Sequence, residues 1–228
     1  MRPSVPLLLS FNAGYVDTAG FLALHGLFTA HVTGNFVTFG AALALGTSGA
    51  LAKLLALPVF CIVVMLVRLL GREVSRRGAE RFTTLLMVKV LLLTLGAILA
   101  VRWGPFGDGD GWQAVVTGMA LVAAMAIQNA VHRVHLAKSP PTTIMTGSST
   151  QMMMDIADVL AGGLEPEERQ ATLARVRFLG TAIAAFASGC AVAAVVFVMI
   201  GVVAFAIPPV IALASALLAR TSGEPAPA

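Results

Sequence analysis

Between Phe178 and Ala219 the chain has no Asp, Glu, Lys or Arg. A bilayer core about 30 Å thick is crossed by roughly 20 apolar residues in a helix, so this run is long enough for two crossings. Gly201, near its middle, is the natural turning point. The stretch Leu54 to Leu70 repeats the theme, with a single charge, Arg68, close to its end. Charged residues make up only 11% of the 228 residues, against about a quarter in a soluble domain. That stock is too small to cover a water-exposed surface. In hydrocarbon every backbone polar group needs an internal partner, and among structures of this size that favours helices. The expectation is one all-α integral membrane domain over residues 1–228.

Apolar segments fall at about 5–26, 34–48, 51–71, 83–103, 113–131, 145–162, 178–199 and 202–219. The second is short. The sixth carries Ser148, Ser149, Thr150, Gln151, Asp155 and Asp158, too polar a set for a lipid-exposed span. These two segments also open alike, with Thr29-Ala30-His31-Val32-Thr33-Gly34-Asn35 in one and Thr142-Thr143-Ile144-Met145-Thr146-Gly147-Ser148 in the other. Upstream, Asp17 precedes Thr33 by 16 positions and Asn129 precedes Thr146 by 17. The chain therefore reads as two copies of a four-segment unit, about 5–103 and about 113–219. Internal repeats of this kind recur in transporters.

Charge sets the expected topology. Arg72, Arg76, Arg77 and Arg81 in the connection 71–81, and Arg133 and Lys138 after the fifth segment, belong on the cytoplasmic side. The connection Gly104 to Trp112, with Asp108 and Asp110 and no Lys or Arg, belongs outside. Arg169, Arg175 and Arg177 mark another cytoplasmic loop, so the sixth segment enters and leaves on one face. If the second behaves likewise, Arg2 and Arg220 both fall inside. The result is six transmembrane helices plus two short re-entrant half-helices, in two inverted structural repeats. Eight full spans would place Arg2, Arg169, Arg175, Arg177 and Arg220 outside.

A half-helix that starts at membrane depth points unpaired N–H groups and its positive dipole end inward. Thr33 and Thr146 stand where N-cap residues belong, and Gly34 and Gly147 permit close approach. Two such ends arriving from opposite faces would hold a small polar or anionic solute between them. The candidate site is therefore Asp17, His31, Thr33, Gly34, Asn35, Gln128, Asn129, Thr146, Gly147 and Ser148. Each has a plainer reading. Thr and Gly cap and pack helix ends, Asp17 satisfies a helix end by hydrogen bonding, and His31 is a structural interface residue. Asp155 and Asp158 read as solvated near the cytoplasm.

Other classes lack their signatures. There is no HExxH, GxSxG, P-loop or glycine-rich dinucleotide turn, so no enzyme and no cofactor is expected. Cys61 and Cys190 lie in apolar runs without metal-ligand spacing. No basic stripe interleaved with aromatics points to nucleic acid. The expected partners are the lipid bilayer and the solute, and the abundance of small residues leaves a homodimer open.

The motifs Phe11-Asn12-Ala13-Gly14-Tyr15-Val16-Asp17 and Phe28 to Asn35, with Gln128-Asn129-Ala130 and Thr142 to Gly147, resemble the YoaK-like family of bacterial inner-membrane proteins. The resemblance covers most of the chain and departs at Ser148, where many members carry Asn or Thr. It implies a small multi-pass protein of the bacterial inner membrane and brings no substrate. The functional expectation is a small secondary transporter or channel-like facilitator. The rival is a non-transporting membrane scaffold or partner-binding subunit.

Overall fold

A computed structural model describes residues 4–73, 78–143 and 145–221 in backbone, with side chains described outside 71–73 and 78–81. Arg2, Arg76, Arg77 and Ile144, used above, lie outside the described residues, and of Arg72 and Arg81 only the backbone is described. Among the described residues the chain is helical with no strand. The helices are α1 (Val5–Ala23), α2 (Asn35–Leu45), α3 (Ala50–Glu73), α4 (Gly78–Trp103), α5 (Trp112–His135), α6 (Thr146–Ala161), α7 (Pro166–Ile200) and α8 (Ile207–Thr221). Short 3-10 turns, Val32–Gly34 and Gly201–Ala206, precede α2 and α8. All eight apolar segments are thus helices.

Four stretches are long and apolar enough to cross a bilayer: Ala50–Leu70, Phe82–Trp103, Trp112–His135 and Pro166–Thr221, the last containing both α7 and α8. The break between those two is Gly201, whose φ of 58° is left-handed and natural only for glycine. Helix α1 is not among the four. Ser10, Asn12 and Asp17 make it more polar, and it is correspondingly central, with all three side chains buried.

Two sequence expectations are corrected by local structure. Arg169, Arg175 and Arg177 do not sit in a loop, because α7 begins at Pro166 and carries them on its first turns. Proline is preorganised for a helix start, and Glu167 and Glu168 complement the dipole there. Neither Thr33 nor Thr146 caps the helix it precedes or opens. Thr33 lies inside the 3-10 turn with Gly34 at the N-cap of α2, while Met145 is the N-cap of α6 and Thr146 its first residue. No side-chain cap is made at either start.

The helices pair in a regular way. α1 packs against α7 and α8, while α5 packs against α3 and α4. α2 lies on α3, α6 lies on α7, and α4 meets α8. The α1–α7 crossing is close, because Gly14 faces the Phe186 backbone and Gly189 faces that of Phe11 and Tyr15. A Cβ at Gly189 would overlap the Phe11 carbonyl oxygen, so small residues set this approach. The main apolar core gathers Tyr15, Val16, Leu24, Leu27, Leu93, Leu121, Met125 and Phe205. A second core, with Leu9, Val67, Leu86, Ile127 and Val131, lies towards the other end of the bundle.

Candidate functional site

The first backbone break follows α1. The chain leaves the helix at Leu24, turns through His25 and Gly26, both at positive φ, and folds back along α1. It returns as far as Asp17, six positions before the helix end, or about 9 Å at ~1.5 Å per residue. Asp17 Oδ1 accepts hydrogen bonds from the backbone N–H of Thr29 (2.7 Å) and Ala30 (2.7 Å). Longer contacts come from the His31 N–H and the Thr29 hydroxyl, each at 3.4 Å. A carboxylate receiving several N–H donors is a charge-assisted turn clamp. Asn35 works in the same way on the neighbouring peptide. Its Oδ1 accepts from Phe28 N–H at 2.9 Å and its Nδ2 donates to the Phe28 carbonyl at 2.7 Å.

The second break follows α5. Residues 136–143 fold back to Gln128 and Asn129, seven and six positions before the helix end. The Thr143 hydroxyl donates to Asn129 Oδ1 at 2.8 Å, and Asn129 Nδ2 donates to the Met125 carbonyl at 3.1 Å. Gln128 is fully buried and ties four elements together. Its Nε2 donates to the Leu9 carbonyl on α1 and to the Thr142 hydroxyl, both at 3.0 Å. Its Oε1 accepts from Lys89 Nζ on α4 at 2.5 Å.

Lys89 has no exposed surface. It is the sole charge between Phe82 and Val101, and among the described residues no carboxylate pairs with it. A charged side chain at this depth is costly and marks a pathway, a ligand or a relay. Three further polar groups near the two breaks are buried without a hydrogen-bond partner: both amide atoms of Asn12, the Ser10 hydroxyl and the Ser148 hydroxyl. Asn12 follows Leu9 by three positions on α1, and it is the Leu9 carbonyl that accepts from Gln128.

The ten sequence-derived site residues therefore divide. Asp17, Asn35, Gln128 and Ser148 are buried, Gly34 and Asn129 are half-buried, and His31, Thr33, Thr146 and Gly147 are exposed. Gln128 and Asn129 share one constellation with Thr142 and Thr143. Asp17 and Asn35 share another with the peptides of 28–31. Lys89 and Asn12 were not among the candidates. The signal for Lys89 was available, since one lysine interrupts an otherwise uncharged run. Asp155 also departs from its solvated reading: it is 1% exposed and held bidentately by Arg175 of α7, with both contacts at 2.6 Å. Gln151 adds a third hydrogen bond at 2.8 Å.

Among the described residues, an all-helical bundle with four bilayer-length apolar stretches and a few buried polar groups defines an integral membrane protein. The sequence pattern of the family described as "Protein of unknown function (DUF1275)" matches residues 5–218, and the chain belongs to that family. It is similar to the UPF0700 transmembrane protein YoaK of Bacillus subtilis (strain 168), with 27% identity over 164 residues, 68% of each chain. The YoaK-like resemblance drawn from the motifs is thereby established. No solved structure matches the chain.

Proposed function

We propose that this protein is a small secondary transporter or channel-like facilitator for a small anionic solute in the bacterial inner membrane, with both termini cytoplasmic. It is built from two inverted repeats, each with three crossings and one re-entrant half-helix. The helix pairing supports this reading. Exchanging α1 to α4 for α5 to α8 turns the α1–α7 contact into α5–α3, α1–α8 into α5–α4, and α2–α3 into α6–α7. The two breaks also fold back to similar depth from opposite ends of the bundle, which irregular backbone tolerates only inside protein.

The observation that carries the substrate class is a surplus of donors around Gln128. A lysine ammonium offers three N–H donors, and one meets Gln128. Asn12 adds an amide with no partner. Buried polar groups left open in this way imply a guest, either water or solute. A carboxylate or similar oxyanion would accept from Lys89 and Asn12 together. The solute site thus moves from the exposed Thr-Gly ends to the Lys89–Gln128–Asn12 centre. Asp17, already committed to backbone donors, becomes part of the scaffold of the site.

Uptake into proteoliposomes across a panel of small carboxylates and inorganic anions tests the proposal. Lys89→Met is expected to abolish uptake. Because it also leaves the buried Gln128 Oε1 without its donor, at about 1–3 kcal/mol, thermal unfolding in detergent first checks that the variant is folded at the assay temperature. Asp17→Asn, which retains an acceptor oxygen, is expected to transport at a reduced but measurable rate. Equal uptake by wild type and Lys89→Met would exclude this centre.

A scaffold function is the second reading. The exposure of His31, Thr33, Thr146 and Gly147 favours it, because those ends are available to another chain. It expects stable co-purification with a partner and no uptake of any solute.

A further inference from the structure

The same end of the bundle carries a second, separate polar feature. Between α3 and α5 lies a cavity of about 640 Å³, lined by Phe60, Val64, Val67 and Val134 on its apolar side and by Arg68, Asn129 and Arg133 on its polar side. An adjoining furrow of about 420 Å³ runs along the far side of α3 and shares Phe60, Val64 and Arg68 with the first. Those three residues are spaced four apart and form one stripe along α3. The stripe is a ridge with an apolar trough on either side, and Arg68 stands at its end. Arg133 stands at the end of α5, across the larger trough.

Both arginines are exposed, and among the described residues neither has a carboxylate partner. Arginine guanidinium groups recognise phosphate oxygens with a planar fork of donors. Basic pockets between membrane helices on the positively charged side hold anionic headgroups. The apolar walls exclude a merely aqueous anion as the best fit, because a free phosphate leaves both troughs unfilled.

We propose that this groove binds an anionic diacyl phospholipid. The phosphodiester lies between Arg68 and Arg133, and one acyl chain runs on each side of the Phe60–Val64–Arg68 ridge. The site is distinct from the buried Lys89 centre and does not depend on the transport reading. It does touch the second break, since Asn129 lines the cavity and also accepts from Thr143. An occupied groove therefore bears on the residue that holds Thr143 in place.

Native mass spectrometry of the detergent-purified protein tests this directly, with phosphatidylglycerol, phosphatidylcholine and soluble glycerol phosphate as the added probes. Wild type is expected to retain phosphatidylglycerol at roughly tenfold lower concentration than phosphatidylcholine, as two surface arginines allow. The double variant Arg68→Gln/Arg133→Gln is expected to lose that preference. Arg102→Gln, at the opposite end of the bundle, is expected to keep it. Val64→Trp, which fills the troughs and leaves both charges, is expected to reduce retention of phosphatidylglycerol. Each variant is first checked for a wild-type melting profile in neutral detergent. A preference that survives the double arginine replacement overturns the proposal, and so does glycerol phosphate binding as tightly as the lipid.

Discussion

The two backbone breaks are built from similar words and solved in different ways. At the first, every partner comes from within residues 17–35: Asp17 gathers the N–H groups of Thr29 to His31, and Asn35 clamps the Phe28 peptide from both sides. At the second, the corresponding Asn129 takes one hydroxyl, and Ser148, in the place of Asn35, has no partner among the described residues. Its neighbour Gln128 reaches instead to α1 and α4. The helix seams follow the same division. α1 and α7 are closed by Gly14 and Gly189, whereas α3 and α5 leave a cavity of about 640 Å³. One half of the molecule is locally satisfied and tight. The other is open and wired to distant elements, and the fully buried Lys89 is one of them.

The sharpest way to break this contrast is to remove the first clamp. Asp17→Ala leaves the N–H groups of Thr29 and Ala30 without acceptors in a buried turn. Each buried orphan costs about 1–3 kcal/mol, so a loss of ~3 kcal/mol or more is expected. The measurement is thermal unfolding in detergent together with the yield of monodisperse protein. Asn129→Ala, which removes the Thr143 hydroxyl contact and a bond to the Met125 carbonyl within the same helix, serves as the comparison and is expected to cost far less. Equal losses at the two positions would erase the distinction between a sealed and an open turn.

A smaller effect is expected at the tight seam. Gly189→Val puts a side chain where the Phe11 carbonyl oxygen now lies, so α1 and α7 must separate. Overpacking of this kind costs about 1–3 kcal/mol, to be read as a lowered melting temperature in the same detergent. A valine tolerated without loss would mean that the two seams do not differ in rigidity.

The sequence made much of this arrangement legible, for reasons of different strength. Hydropathy located all eight helices because lipid demands long apolar runs, and the glycine at 201 marked the turn between α7 and α8. The paired Thr-Gly words marked both breaks correctly. They misled about mechanism, since a threonine before a helix reads as a cap, while the 3-10 turn at Val32–Gly34 shifts that position to Gly34. Partners far apart in the chain were out of reach. Nothing in the local pattern says that Gln128 meets Leu9 and Lys89, because that depends on how α1, α4 and α5 pack. The pairing of Asp155 with Arg175 was hidden for the same reason, as it closes across the turn at Gly162 and Gly163.

That last pair offers the finest test of the comparison, because α2 and α6 are fastened differently. Asn35, the first residue of α2, is tied by its side-chain amide to the Phe28 peptide, and this tie carries no titratable group. α6 is fastened to α7 through the Asp155 carboxylate. Hydrogen bonding from Arg175 holds this carboxyl below the usual aspartate range, and Gln151 adds to the effect. α6 lies outside the bilayer-length stretches. A carboxyl whose folded pKa is depressed binds protons more readily when released, so its contribution is complete above the ordinary aspartate value of about 3.9. It is lost as pH falls through the folded value. Arg175 is half exposed, with 52% of its side chain accessible, so solvent screening keeps the effect modest. Hydrogen exchange in α6, after correction for the intrinsic pH dependence, is therefore expected to stay constant from about pH 7 to about pH 5 and to quicken only below ~4. Exchange in α2, after correction for the intrinsic pH dependence, is expected to show no such step. An Asp155→Asn variant should exchange in α6 at the faster, acid-like rate throughout, and a wild-type-like profile in that variant would mean that apolar packing alone holds α6 to α7.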